Sequence, residues 1–371
     1  MKIITPCHII DLDILGKNLD RVKELTSKTN CKVLLSTKGM VTPTIIDYAE
    51  SRLDGISIGS VYEARLFRDR YNKYIQIYSP AYIESQIDEI CSSVNTIIFN
   101  SIDQFKKYAA IGKKHNCQIG IRINTLFTNN VSSSTNFCTD KSHLGIIIDQ
   151  VDADIIKLSD GIHIHNMCES TADDLVKLIE FVDNRLGEFL NRLKWINLGG
   201  GEMLGSDSYD VDKAAQAINY IQDKYGIRVI IEPCEGIFVN SGTFKTTVLD
   251  ILDNHDNKIA ILDMSPVCHM PDAVFRGWKR DIAEGSIKNT KGYRYILSGQ
   301  SCYVGDTLGN YIFDKPLKVG DTITFKDTAT YNIVKTSMFN GIQMPNIYIK
   351  TKLGGYSLVR QSDYKDYLAI V

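Results

Sequence analysis

Five short stretches carry the side chains that could do chemistry. Lys38 ends the apolar run VLLSTK, His163 and His165 alternate in GIHIH, three glycines at 199–201 follow WINL, and Glu232 follows VII. Arg122 adds a cation within QIGIRIN. A lysine at a strand end commonly faces solvent. Held in a partly desolvated pocket instead, its amine loses affinity for the proton and can form a Schiff base with a carbonyl. A glycine triplet after a strand suits a tight turn whose N–H groups wrap a phosphate, or is simply a flexible turn. Glu232, after so apolar a run, is costly without a donor or cation as partner, and a protonated pyridine nitrogen would serve. His165 could stack on such a ring. His163 and His165 could equally be core hydrogen-bonding groups, or join Glu232 as a two-histidine, one-carboxylate metal site. The metal reading leaves Lys38 and the glycines without a role, so no metal is expected.

These positions make sense if each closes a strand of one barrel. Eight short runs rich in isoleucine and valine occupy 32–38, 55–60, 75–79, 96–100, 118–124, 161–165, 195–201 and 229–233, seldom alternating with polar residues. That is the pattern of parallel strands buried on both faces. Amphipathic stretches lie between them. A helix over 42–51 has Thr42 as cap and Pro43 at its first position, another over 60–70 starts at Ser60, and 171–190 and 212–225 are equally periodic. Eight strand–helix alternations predict a (β/α)8 TIM barrel, although a doubly wound sheet shares the pattern. The catalytic rim would be the C-terminal strand ends.

After residue 240 the rhythm changes. Stretches 248–252, 258–262, 293–298, 322–326, 330–336 and 347–350 read as strands between Gly, Asp and Pro turns, a second, mostly antiparallel β-domain, to which 6–12 adds a strand. The expected division is a barrel over 14–240, with 1–13 and 241–371 forming the β-domain. The chain has 371 residues, suited to a barrel plus such a module. A net charge of -2 and the lack of a basic cluster argue against nucleic acid. No apolar run reaches membrane-spanning length, and an early aspartate interrupts the start, so the expected location is cytoplasmic, without membrane partners. Nine scattered cysteines without CxxC pairs argue against a disulfide framework or zinc knuckle.

Together these stretches resemble the fold-type III decarboxylases that use pyridoxal 5'-phosphate, and within them the carboxynorspermidine/carboxyspermidine decarboxylases. The resemblance runs from TPCHIIDLDILGKNL through LLSTKG, YSPAY, FNS, KSHLG, GIHIHNMCES, LKWINLGGGE and EPCEG. It continues through LDMSPVCHMPD, GQSCYVGDTLG, LKVGDTITFKD and YNIVKTSMFNG. It implies that Lys38 carries the cofactor and that His165 stacks on its ring. Glu232 would pair with the pyridinium nitrogen, while Gly199, Gly200 and Gly201 hold the phosphate with Tyr331. Arg122 is a further expected cofactor contact. Cys302 would be supplied to a neighbouring subunit's site, making the protein a homodimer with shared active sites. Glu235, Asp272, Arg276 and Asp306 are the expected substrate-binding residues. The implied reaction is loss of carbon dioxide from a small carboxylated polyamine; decarboxylation of an anionic amino acid conjugate is the alternative. A pyridoxal-phosphate-binding homologue without catalysis is a further one.

Two stretches depart from the family. The lysine is followed by GM where relatives carry a KAF-like segment. CHMPD is followed by AVFRGWKRD, so Arg276, Lys279 and Arg280 stand where an acidic and apolar stretch is expected. Cations touching substrate there would favour an anionic tail over a polyamine.

Overall fold

The computed structural model describes residues 2–129, 136–151, 153–351 and 354–371. It divides into two compact units, Asn18–Ile237 and Met1–Lys17 with Phe238–Val371. The division falls within helix Leu12–Lys28.

The first unit is a closed barrel. Its eight strands are Lys32–Ser36, Gly55–Ile58, Tyr74–Tyr78, Thr96–Phe99, Gln118–Asn124, Gly161–His163, Trp195–Asn197 and Arg228–Ile231. Each pairs in parallel with the next, and the eighth returns to the first through Ile230 opposite Lys32. A doubly wound sheet would leave two edges; this one leaves none. The two-residue strand Ile146–Ile147 adds to the end of the fifth. Isoleucine and leucine dominate because both faces are covered: every residue of the second and fourth strands is buried. Inside, Trp195 packs with Leu34, Ile98 and Ile230. Its ring lies where a Cβ on Gly120 or Gly161 would stand 2.5 or 2.1 Å away, which is why these two strands carry glycine.

Helix starts follow the sequence signals with one exception. Ser60 caps Val61–Arg68 through the Glu63 N–H, and Thr171 and Asp174 form a reciprocal capping box on Ala172–Leu190. Helix Val211–Tyr225 stops at Gly226, whose φ of 64° suits a residue without a Cβ. Thr42 precedes Pro43–Glu50 as expected but makes no side-chain cap bond. The preset φ of Pro43 at the helix start does not depend on a capping bond.

The second unit is a mixed sheet, in the order Gly285–Ser286, Thr307–Phe313, Tyr293–Ser298, Asn257–Leu262, Gly242–Asn254, Cys7–Asp11, Asn346–Lys350 and Tyr356–Arg360. Strand Thr322–Lys326 also pairs with Gly242–Asn254. Its ladders are mostly antiparallel, the parallel ones joining Cys7–Asp11 to Asn346–Lys350 and Asn257–Leu262 to Tyr293–Ser298. Phe244, Leu262, Tyr295, Leu297, Tyr311, Phe313 and Phe325 fill one core, each contributing roughly 1.5–3 kcal/mol by leaving water. The stretch 330–336 is not a strand. Tyr331 takes φ 64°, Asn332–Lys335 forms a single helical turn, and Thr336 Oγ donates back to the Asn332 carbonyl. Local side-chain bonds win there over the ladder. Among the described residues no helix is long and apolar enough to cross a membrane.

Candidate active site

The barrel gathers its polar strand-end residues around one cavity of about 300 Å³. Ser36 and Lys38 come from the end of the first strand, Ser57 and Gly59 from the second, and Tyr78 from the third. Arg122 comes from the fifth, His163 and His165 from the sixth, and Glu232 from the eighth; Phe137 and Leu144 complete the wall. Lys38 lies two residues past its strand, because Thr37 turns to donate its N–H to the Ser57 carbonyl and Gly39 folds back onto that of Ser36. The lysine projects into the cavity, keeping accessible surface while protein atoms crowd its amine. Burial pulls its pKa below the ordinary lysine value; Glu232 opposes this and Arg122 reinforces it. A larger share of the amine is therefore neutral and nucleophilic.

Both histidines are held neutral. Burial pushes His163 and His165 well below the usual imidazole value, with the charges of Arg122 and Lys38 acting in the same direction. Gly200 N–H donates to His165 Nδ1 at 2.9 Å, so the ring proton sits on Nε2. Phe137 stacks on the same ring, centroids 4.9 Å apart. His163 Nε2 stands 3.8 Å from Glu232 Oε1. Arg122 lies over the Tyr78 ring at 4.5 Å. Its Nε and His163 Nδ1 are buried without a hydrogen-bond partner. Such orphaned groups beside a cavity ask for a polar occupant.

Glu232 has the partners its surroundings require, but they are neutral amides. Gln76 Nε2 donates to Oε1 at 2.5 Å and Asn197 Nδ2 donates to the same oxygen at 2.6 Å. The glycine triplet has a steric cause alongside the expected one. A Cβ would stand 2.5 Å from His165 Nδ1 at Gly199, 2.3 Å from the Glu232 carbonyl at Gly200 and 2.4 Å from the Met167 carbonyl at Gly201. Gly199 and Gly201 also have φ of 77° and 120°. Two of the three N–H groups are already donated, Gly199 to Asn197 Oδ1 and Gly200 to His165.

Lys38, Arg122, His165 and Glu232 thus line one cavity, and the glycine turn is bonded to its wall. Glu235 opens the short helix Glu235–Phe238 and is half-buried. The remaining expected residues belong to the sheet unit. There Cys302 is exposed, and its backbone N–H and thiol both point to Asn340 Oδ1 at 3.3 Å. Asp272 is held by Lys335 at 2.6 Å and Arg276 at 3.6 Å, while Arg276 stacks on Trp278. Lys335 also lies over the Tyr331 ring at 4.9 Å. Asp306, the residue expected to face the substrate, lies in the same unit. It is 3% exposed, with Oδ1 taken by Ser265 Oγ and Val267 N–H and Oδ2 by Ser301 N–H. Its buried charge is satisfied by fixing the loop.

Sequence reasoning missed three groups here. Gln76 and Asn197 stand within the apolar strands YIQIY and WIN, both fully buried. A polar amide inside a buried strand was the available signal. Glu202, just past the triplet, is 1% exposed with neither carboxylate oxygen hydrogen-bonded. Burial, opposed by its own backbone N–H and helped by Glu232, raises it to about 8.

The family model described as pyridoxal-dependent decarboxylase, C-terminal sheet domain, matches residues 12–329. The chain is 33% identical to the carboxynorspermidine/carboxyspermidine decarboxylase of Campylobacter jejuni, over 99% of this chain and 98% of that protein. It is 32% identical to the carboxyaminopropylagmatine decarboxylase of Synechocystis, over 98% and 94%. The crystal structure of the Campylobacter jejuni carboxynorspermidine decarboxylase complexed with norspermidine superposes with a TM-score of 0.89 at 32% identity, covering 100% of both chains. An amine of lowered basicity, two neutral imidazoles, a fixed carboxylate and unpartnered donors in one barrel-mouth cavity fit the cofactor that this match implies. With nearly the whole chain aligned, it belongs to the pyridoxal-phosphate-dependent decarboxylases that act as carboxy-lyases.

Proposed function

We propose that this enzyme removes carbon dioxide from carboxynorspermidine or carboxyspermidine, releasing norspermidine or spermidine. Supporting this reading are the relatives named for those substrates and a single cavity that joins Lys38 to Glu232. Pyridoxal phosphate, when bound, supplies the electron sink for the bond that breaks at the substrate's α-carbon. Lys38 would hold the cofactor covalently, its amine made nucleophilic by burial. Glu232 would face the ring nitrogen and His165 the ring. Arg122, Tyr331 and the turn at Gly199, Gly200 and Gly201 would complete the binding. Cys302, supplied by the other copy of a homodimer, would return a proton to the α-carbon. Glu235, Asp272 and Asp306 are the acidic groups that would meet the substrate's ammonium groups. In this reading the barrel of 14–240 carries the cofactor, and the module of 1–13 and 241–371 supplies the loops that choose the substrate. Arg276 is already engaged by Asp272 and Trp278, so no observation favours an anionic tail over a polyamine.

The experiment is carbon dioxide release from carboxynorspermidine, carboxyspermidine and carboxyaminopropylagmatine by the purified protein and by Lys38→Ala. Release from the first two, abolished in the variant, is expected, together with borohydride fixing the cofactor on Lys38. Turnover of carboxyaminopropylagmatine alone would overturn the substrate, and labelling at another lysine would overturn the site.

A further inference from the structure

We propose that Gln76 and Asn197 are positioning residues of the cofactor site, and that Asn197 ties its carboxylate end to its glycine turn. This rests on the cofactor reading above and names residues that reading leaves without a role. Gln76, on the third strand, and Asn197, on the seventh, reach Glu232 from two sides, and both are fully buried. Their N–H groups converge on one oxygen, Oε1, at 2.5 and 2.6 Å. Asn197 Nδ2 also lies 3.1 Å from Gln76 Oε1, locking the two amides together. With Oε1 taken twice, the carboxylate is confined to one orientation, and Oε2 is the oxygen left to meet a cationic nitrogen.

The second half of the inference follows from the other atom of the same amide. Asn197 Oδ1 accepts the Gly199 N–H at 2.8 Å. This fixes the amide's orientation: turned over, it would present an oxygen to Glu232 and an N–H to an N–H. The next N–H, of Gly200, donates to His165 Nδ1. One chain of bonds therefore runs from Gln76 through Glu232 and Asn197 into the turn and on to the ring-facing histidine. Neutral donors suit this place. They constrain the carboxylate without cancelling its charge, which a lysine or arginine would do, leaving less for the ring nitrogen.

The two atoms of Asn197 can be separated by experiment. Dissociation constants for pyridoxal 5'-phosphate and for pyridoxal, which lacks the phosphate, are measured by titrating the apoprotein, with far-UV circular dichroism reporting folding. Gln76→Met keeps the volume and removes one donor. It should weaken both ligands about tenfold, as expected for a lost hydrogen bond to a charged group, and leave the preference for the phosphate form unchanged. Asn197→Ala should in addition reduce that preference about tenfold. Asn197→Asp retains an acceptor for Gly199 and should keep the preference while weakening both ligands. Gln76→Met binding both ligands within twofold of the parent, or Asn197→Ala keeping the full preference, would overturn the assignment. A parent protein that binds neither ligand would instead sink the cofactor reading on which the assignment stands.

Discussion

Replacing Glu202 by glutamine should remove a large part of the barrel's alkaline instability. In the folded chain this carboxyl titrates at about 8, against 4.5 when unperturbed, because burial outweighs the help of its own backbone N–H and no other group donates to it. Between those pH values the folded state keeps a proton that the unfolded state gives up. The unfolded state thus binds fewer protons, and stability falls as pH rises from about 4.5 to about 8, then levels off. At about 1.36 kcal/mol per pH unit, the loss from pH 5 to pH 8 is on the order of 3–4 kcal/mol. The Glu202→Gln side chain would have nearly the same shape and no proton to lose. Its unpaired amide adds a penalty of its own, so the pH slope is the quantity to compare. Urea unfolding at pH 5, 6, 7 and 8, followed by Trp195 fluorescence in a Trp278→Phe background, reads the barrel alone. The buried His163 and His165 act alike in both proteins, so the difference is the readout: from pH 5 to pH 8 the parent should lose about 3 kcal/mol relative to the variant. Equal slopes would show that Glu202 is already ionised when folded, and the account of an unpartnered buried acid would fail.

Two further substitutions test other parts of the structure. Gly200→Ala places a Cβ 2.3 Å from the Glu232 carbonyl oxygen, a backbone atom with little room to retreat. It should cost roughly 1–3 kcal/mol and lower the melting temperature, and an unchanged melting temperature in calorimetry would contradict the close approach. In the sheet unit, burial lowers His8 to about 3 and His269 to about 4. Both are fully or almost fully buried, and neither ring nitrogen of His8 is bonded. Their folded values lie below the unfolded 6.5, so the unfolded state takes up protons first and stability is lost as pH falls below about 6.5. Each should cost on the order of 2 kcal/mol by pH 5. His8→Leu should reduce the acid loss by about 2 kcal/mol in urea titrations at pH 7 and 5, the buried His163, His165 and His269 carrying the remainder, and an unaltered loss would show that His8 is not buried as a neutral ring.

How far the sequence exposes this site depends on which side chains are surrounded by unlike neighbours. Lys38, His165 and Glu232 follow apolar runs, and an ionisable group at the end of a buried strand is conspicuous, so the rim is legible in the sequence. The strand pattern was equally plain, because burial on both faces suppresses alternation. What stayed hidden was the source of each partner. Glu232 needed a donor, and a cofactor nitrogen supplied one on paper; the chain itself supplies two, from Gln76 and Asn197, 156 and 35 residues earlier. Amides read as weak signals because they carry no charge, yet only their burial in the barrel makes them decisive. Three glycines in sequence signal a phosphate-wrapping turn or a flexible one, whereas the close approach of His165, Glu232 and Met167 is what leaves no room for a Cβ. In the sheet unit, strand Thr307–Phe313 carries no strand pattern of its own, because Gly309, at φ 76°, and Asn310 interrupt it, and the antiparallel ladder with Tyr293–Ser298 supplies the order instead. Stretch 330–336 failed the opposite way: threonines and valine suggested a strand where Tyr331 has already left extended backbone. In each case the local residues keep their own preferences, and a contact made by a distant strand or a single φ angle decides between them.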